Sequence, residues 1–209
     1  MAALGYPPLD ASGRLRIQFV VPLTLVDTVL LVSLILLFLR ARGERPRHVL
    51  FGLRPIAGEL AYGVPLIFAA LVGGGGLLLA IRYLVPGLHT FEQNPLESLL
   101  GSTRDAWLFA LVALVAGGIR EEIQRAFLLH RFEVWLGGGI VGVIVTSAAF
   151  GAGHLVQGND AGIVTALLGA FWGVVYLRRR SAVAPMVSHA GFNLVQVVLF
   201  VVSRRAVSV

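Results

Sequence analysis

Two adjacent carboxylates and an arginine, Glu121, Glu122 and Arg125, stand in a stretch of sequence that is otherwise almost wholly apolar. Two further pairs, Phe150-x-x-x-His154 and His189-x-x-x-Asn193, interrupt later apolar stretches in the same way. A charged side chain at the centre of a bilayer costs about 2.5–3.5 kcal/mol on insertion scales, so ionisable groups placed there mark a functional site. The residue types are those of hydrolysis. A glutamate can deprotonate water, a histidine can orient that water or carry its proton, and His189 with Asn193 can donate hydrogen bonds to an oxyanion. Ser188 and Ser147 lie near the histidines in sequence, but neither is obviously paired with a base, so a serine nucleophile is not favoured.

On a helix of 3.6 residues per turn, Arg125 lies four residues after Glu121 and three after Glu122 and can reach either from one face. One carboxylate is then neutralised while the other stays available as a base. The competing structural reading takes Glu121, Glu122 and Arg125, with Arg120 and Arg131, as an ion-paired helix end at the membrane interface, where charges are cheap. Each histidine pair also shares a single helical face. Gathered together, the two histidines, two glutamates, arginine and asparagine satisfy one another's hydrogen bonds, which isolated groups in lipid cannot do.

The elements that must position them are membrane helices. The chain has 209 residues, 57% of them hydrophobic and 13% charged, with a mean hydropathy of +0.85, which soluble domains rarely reach. There is no cysteine, hence no disulfide, thiol nucleophile or Cys-based metal site. All 17 basic residues are arginine and the formal charge is +6. They cluster at the ends of apolar runs, as at Arg40, Arg42, Arg45 and Arg47 and again at Arg178, Arg179 and Arg180, which reads as a topology signal beside anionic headgroups rather than as a nucleic-acid surface. No nucleic-acid partner is expected.

A hydrocarbon core of roughly 30 Å takes about 20 residues of helix, and about six segments qualify or nearly do. The expected spans run from about Gln18 to Leu39, Leu60 to Leu84, Asp105 to Leu129, Gly139 to Leu155, Ala161 to Leu177 and Ala184 to Val202. The fold class is therefore all-α, a polytopic membrane bundle in one domain, residues 1–209. The runs are continuously apolar, without the period-two alternation of a membrane barrel. The stretch Met1 to Arg16 lacks the basic start and apolar core of a cleaved signal, so the first span is expected to remain in the mature protein. Arginine counting puts the 40–54 and 178–180 loops in the cytoplasm and both termini outside.

Four lesser expectations follow. Asp27 is assigned to a hydrogen bond with a neighbouring helix rather than to the site; His48, His89 and His130 to solvated loops or helix ends; Gly169-x-x-x-Gly173 to packing within the chain; Trp107, Trp135 and Trp172 to interfacial anchoring. Depth raises a conflict. With the third helix ending near Leu129, Glu121 sits about 12 Å above that end, whereas His154 sits about 24 Å above Gly138. The two meet only if the fourth helix starts outside the hydrocarbon or the helices tilt strongly.

The series Glu121-Glu122-x-x-Arg125 with Ala126-Phe127-Leu128-Leu129, then Phe150-x-x-x-His154, then His189-x-x-x-Asn193 resembles the CAAX prenyl endopeptidase and bacteriocin-processing family, also called the abortive-infection intramembrane proteases. The resemblance covers about residues 105–200. It implies an intramembrane endopeptidase, free of metal and other cofactors, in which a first-motif glutamate activates water with help from His154, while His189 and Asn193 form the oxyanion site. It also implies a membrane-bound or lipidated peptide or protein substrate and a multi-pass location in the plasma or inner membrane.

The first motif is one residue shorter than the family's Glu-Glu-x-x-x-Arg. Aligning Arg125 and Phe127 puts Arg120 in place of the first glutamate and Glu121 in place of the second; aligning the glutamates displaces the arginine. Either Glu121 has become the base with Glu122 as helper, or the site is altered. Two other classes compete with the protease: a non-catalytic relative that binds other membrane proteins, and a proton or ion relay. Zinc is a further alternative for two histidines and two glutamates, although no His-Glu-x-x-His pattern is present.

Overall fold

In the computed structural model, residues 7–10, 13–91, 96 and 99–207 are described, and among them the chain is helical with no strand. Eight α-helices follow in order: α1 (Ile17–Ala41), α2 (Pro46–Phe51), α3 (Ile56–Leu84), α4 (Thr103–Val112), α5 (Glu121–Trp135), α6 (Gly139–Gly153), α7 (Asn159–Arg179) and α8 (Val183–Val207). A wide π-helical segment, Ala113–Arg120, joins α4 to α5, so Thr103 to Trp135 forms one continuous rod. Ser102 starts that rod by accepting a hydrogen bond from the Asp105 amide.

Among the described residues, five helices are long and apolar enough to cross a membrane: α1, α3 together with α2, α6 with the turn after it, α7 and α8. The sixth crossing is the α4–α5 rod. Its charged residues keep it below the apolar threshold of a simple span, and those of the functional motif, Glu122 and Arg125, are buried within the protein. Large apolar side chains on the outer faces, among them Leu30, Leu34, Phe68, Val72 and Ile144, are exposed, as a lipid-facing surface requires.

Loops hold the two ends of the bundle. At the arginine-rich end, the Ala182 amide donates to the Leu50 carbonyl at 2.8 Å and Arg54 Nε donates to the Arg179 carbonyl at 3.1 Å. Arg180 pairs with Glu133, and Glu44 of the α1–α2 loop takes Arg131 and, at 2.6 Å, His130. At the opposite end, buried Asp160 at the start of α7 accepts from Arg82 of α3 at 2.9 Å and contacts His89 Nδ1 at 2.8 Å. The 40–54 and 178–180 loops therefore share one end, as six alternating passes demand.

The span boundaries move in one place that matters. The third crossing does not stop near Leu129 with Arg131 at its end; it continues to Trp135, because Arg131 and His130 find Glu44 and Glu133 finds Arg180, so these polar residues extend the helix instead of ending it. Glu121 then lies about 21 Å from the end of α5, and His154 about 22 Å from the start of α6. The depth conflict disappears.

Two smaller expectations are corrected. His130 is inside α5, and His89 is tied to Asp160, so neither is simply solvated. Trp172 is not an interfacial anchor: it is 1% exposed, whereas Trp107 and Trp135 are 63% and 65% exposed. Within α3, Gly74 lets α7 approach closely, since a Cβ there would lie 3.2 Å from Leu168 Cδ1.

Candidate active site

The α4–α5 rod, α6, α7 and α8 converge on one polar region. Two glycines permit the decisive approach. A Cβ on Gly118 would come within 2.5 Å of Ala190 Cβ and 2.8 Å of its Cα, so α8 lies directly against the π-helical segment. That contact sits next to His189 on one helix and four residues before Glu122 on the other.

Glu122 is the buried centre of an ion pair. It is 1% exposed, pairs with Arg125 three residues on, and its Oε1 lies 2.8 Å from His189 Nδ1. Because a carboxylate only accepts, the Nδ1–H of His189 donates to it, and this leaves Nε2 directed toward Glu121 Oε2 at 3.9 Å. That separation is too long for a direct hydrogen bond. Arg125 is enclosed by aromatic faces, 4.6 Å from the Phe150 ring centroid and 5.7 Å from that of Trp172. Gly169 of α7 leaves space for the Phe150 ring, which a Cβ there would approach to 2.9 Å, whereas a Cβ on Gly173 would make only ordinary contacts with Val143, Leu129 and Arg125. The small-residue spacing thus serves packing inside the chain.

His189 is further held from its other face by Trp172, whose ring stacks on it at 3.8 Å between centroids and an interplanar angle of 15°. The indole Nε1 donates to the Oγ of fully buried Ser188 at 3.1 Å, so Ser188 is engaged as an acceptor behind the site. Ser147 Oγ is buried without a hydrogen-bond partner among the described residues and does not line the cleft described next.

Glu121 points the other way from Glu122. Together with Arg120, Arg125, Phe150 and His154 it lines an open cleft of about 480 Å³ between α5 and α6, continued by apolar side chains such as Leu128, Phe132 and Val145. His154 Nδ1 donates to the Phe150 carbonyl at 2.8 Å, four residues back, and its ring lies 4.6 Å from the Phe150 ring. This fixes the tautomer and leaves the Nε2 lone pair free to accept. Arg120 bridges Asp27 of α1 at 2.9 Å and Glu121 at 3.4 Å, with its buried Nε unpartnered among the described residues. The hydrogen bond expected of Asp27 to a neighbouring helix is present, and Arg120 links it to the cleft.

Of the six residues singled out in sequence, Glu121, Arg125 and His154 line the cleft, and Glu122 and His189 form the layer behind it. Asn193 is set apart: its Nδ2 donates to the Ala113 carbonyl at 3.2 Å, at the first residue of the π-helical segment, and it does not line the cleft. Sequence reasoning missed Trp172, Gly117 and Gly118, and Arg120 as a bridge. The glycine pair directly before the charged motif was the available signal. Among the described residues, no group of three His, Asp or Glu side chains is placed to hold a metal ion.

The continuous rod, the paired Glu122–Arg125 and the two later histidine motifs all fall within one segment. Residues 103–195 match the Rce1-like family, type II CAAX prenyl endopeptidases. The matched segment opens on the first residue of α4, ends within α8 and contains all six polar residues. The matched family is one of prenyl endopeptidases, which are proteases and hence hydrolases, and five helices of the described residues have the length and apolar composition of a multi-pass integral membrane protein. No curated protein and no solved structure matches the chain. Asp27 and the whole of α1, α2 and α3 lie outside the matched segment, so the Asp27 side of the Arg120–Asp27 bridge comes from a part of the chain that the family match does not cover.

Proposed function

We propose that the chain is an intramembrane endopeptidase in which Glu121 is the base. The observation that carries this reading is the division of labour between the two glutamates: Glu122 is consumed by Arg125 and His189, while Glu121 faces an open cleft shared with His154. Glu121 takes a proton from a water held also by His154 Nε2, and the resulting hydroxide attacks the scissile carbonyl. His189, whose Nδ1–H is held by Glu122, has its Nε2 on the Glu121 side and serves the oxyanion as a donor when that nitrogen carries a proton. The proton held by Glu121 then passes to the leaving amine nitrogen as the C–N bond breaks. Asn193 acts one step back, holding α8 to the π-helical segment through the Ala113 carbonyl.

The apolar walls of the cleft fit a peptide presented from the membrane, so the proposed substrate is a membrane-bound or lipidated peptide or protein, and the proposed setting is the plasma or inner membrane. No metal or other cofactor enters the mechanism. The test is cleavage of a lipidated peptide by purified, reconstituted protein, comparing wild type with Glu121→Ala, Glu122→Ala and His154→Ala. Loss of a general base is worth about 10²–10⁴-fold. Activity untouched by all three substitutions ends the proposal.

A further inference from the structure

A second cavity, also of about 480 Å³, opens at the arginine-rich end of the bundle. It shares no residue with the cleft. His48 and Val49 of α2, Leu53 and Arg54 of the turn after it, and Arg179 and Arg180 at the end of α7 form its wall. The positive charges there are unequally committed. Arg179 is taken up by buried Glu59, and Arg180 by Glu133. Arg54 engages only its Nε, with the Arg179 carbonyl, and among the described residues no acid pairs with its guanidinium. The His48 ring likewise has no partner among the described residues.

One arginine charge is therefore unbalanced inside a preformed cavity, which matches the single negative charge of a phosphodiester, and an arginine fork suits phosphate oxygens. The apolar rim narrows the ligand further. Leu53 is 83% exposed beside the cavity, at the end of the bundle where headgroups meet hydrocarbon. Arg40, Arg42, Arg45, Arg47 and Arg178 crowd the same end in sequence and add to the local positive potential. Basic pockets between membrane helices have this headgroup-binding character.

We propose that this cavity binds a phosphate group, that of an anionic phospholipid headgroup whose chains lie along Leu53. Native mass spectrometry of the full-length protein in neutral detergent, titrated with phosphatidylglycerol or phosphatidylcholine, tests it. The expected result is preferential retention of phosphatidylglycerol, weakened about fivefold by Arg54→Gln, the equivalent of about 1 kcal/mol for one arginine near an anionic surface. His48→Gln serves as a second variant on the opposite wall, and size-exclusion profiles establish that both fold. Arg42→Gln, at the same end but not in the wall, loses only its share of the general positive potential and is expected to weaken binding less than Arg54→Gln does.

Competition with glycerol phosphate separates the two sources of the group: no displacement at millimolar concentration identifies a lipid, and displacement identifies a soluble phosphate. Equal retention of both lipids, wild-type binding by both Arg54→Gln and His48→Gln, or an equal loss in Arg42→Gln overturns the site. None of these outcomes depends on proteolysis.

Discussion

Gly118→Ala is expected to disable the active site without touching a single polar group. The new Cβ would lie 2.5 Å from Ala190 Cβ and 2.8 Å from its Cα, whereas ordinary contact begins at 3.4 Å. Because the obstacle includes backbone, α8 must retreat by about 0.6–0.9 Å, the shortfall from that contact distance. His189 is the residue next to Ala190, so its 2.8 Å hydrogen bond to Glu122 stretches to about 3.4–3.7 Å, beyond the range of a normal hydrogen bond. A misplacement of about 1 Å costs on the order of 10²-fold in rate, and overpacking costs about 1–3 kcal/mol of stability. The assay is kcat/KM for a lipidated peptide, with thermal unfolding in detergent measured in parallel. Gly75→Ala is the control: its Cβ meets nothing within 4 Å, so activity is expected to hold and the helix to gain up to about 1 kcal/mol. A Gly118→Ala protein with kcat/KM within twofold of wild type would refute the claim that this approach sets the site.

The two glutamates are expected to fail differently: Glu121→Gln loses turnover and keeps its unfolding temperature, whereas Glu122→Gln leaves Arg125 buried and unpaired and loses about 3–5 kcal/mol of stability, as thermal melts of the two purified variants would reveal. Asp27→Asn is expected to lower kcat about tenfold, in the range of lost positioning contacts, by freeing Arg120 from its bridge, with Asp27→Glu restoring most of it; unchanged kcat in Asp27→Asn would show the bridge to be idle. At the arginine-rich end, hydrogen bonding from Arg131 holds the Glu44 carboxyl below its ordinary value of 4.5. A depressed folded-state value means that the stabilisation is full above the ordinary value and is lost as pH falls through the folded one, so unfolding temperatures of wild type and Glu44→Gln are expected to converge between about pH 5 and pH 3.

Much of this protein is legible without coordinates, because burial in lipid imposes a local rule. Each span must satisfy its own backbone and present apolar side chains, so long apolar runs and arginine-flanked ends reveal helices and their alternation residue by residue. The same rule exposes Glu121, Glu122, Arg125, His154, His189 and Asn193 as polar exceptions, and their spacing is that of helical faces. Which exception does what is a different kind of fact. Arg125 can reach either glutamate from one face; in the fold it lies between Phe150 and Trp172 and pairs with Glu122, which leaves Glu121 to the cleft.

The true end of the third crossing depended on Glu44 and Arg180, residues 87 and 47 positions away from Arg131 and Glu133, which no window along the chain can include. The π-helical segment leaves no mark on apolar periodicity, yet it presents the Ala113 carbonyl to Asn193 and, through Gly118, sets α8 close enough for His189 to reach Glu122. Composition and spacing act within a few turns of one helix and so suffice to name the chemistry. Assigning each group its part requires contacts between helices, whose partners are chosen by shape and charge across the bundle.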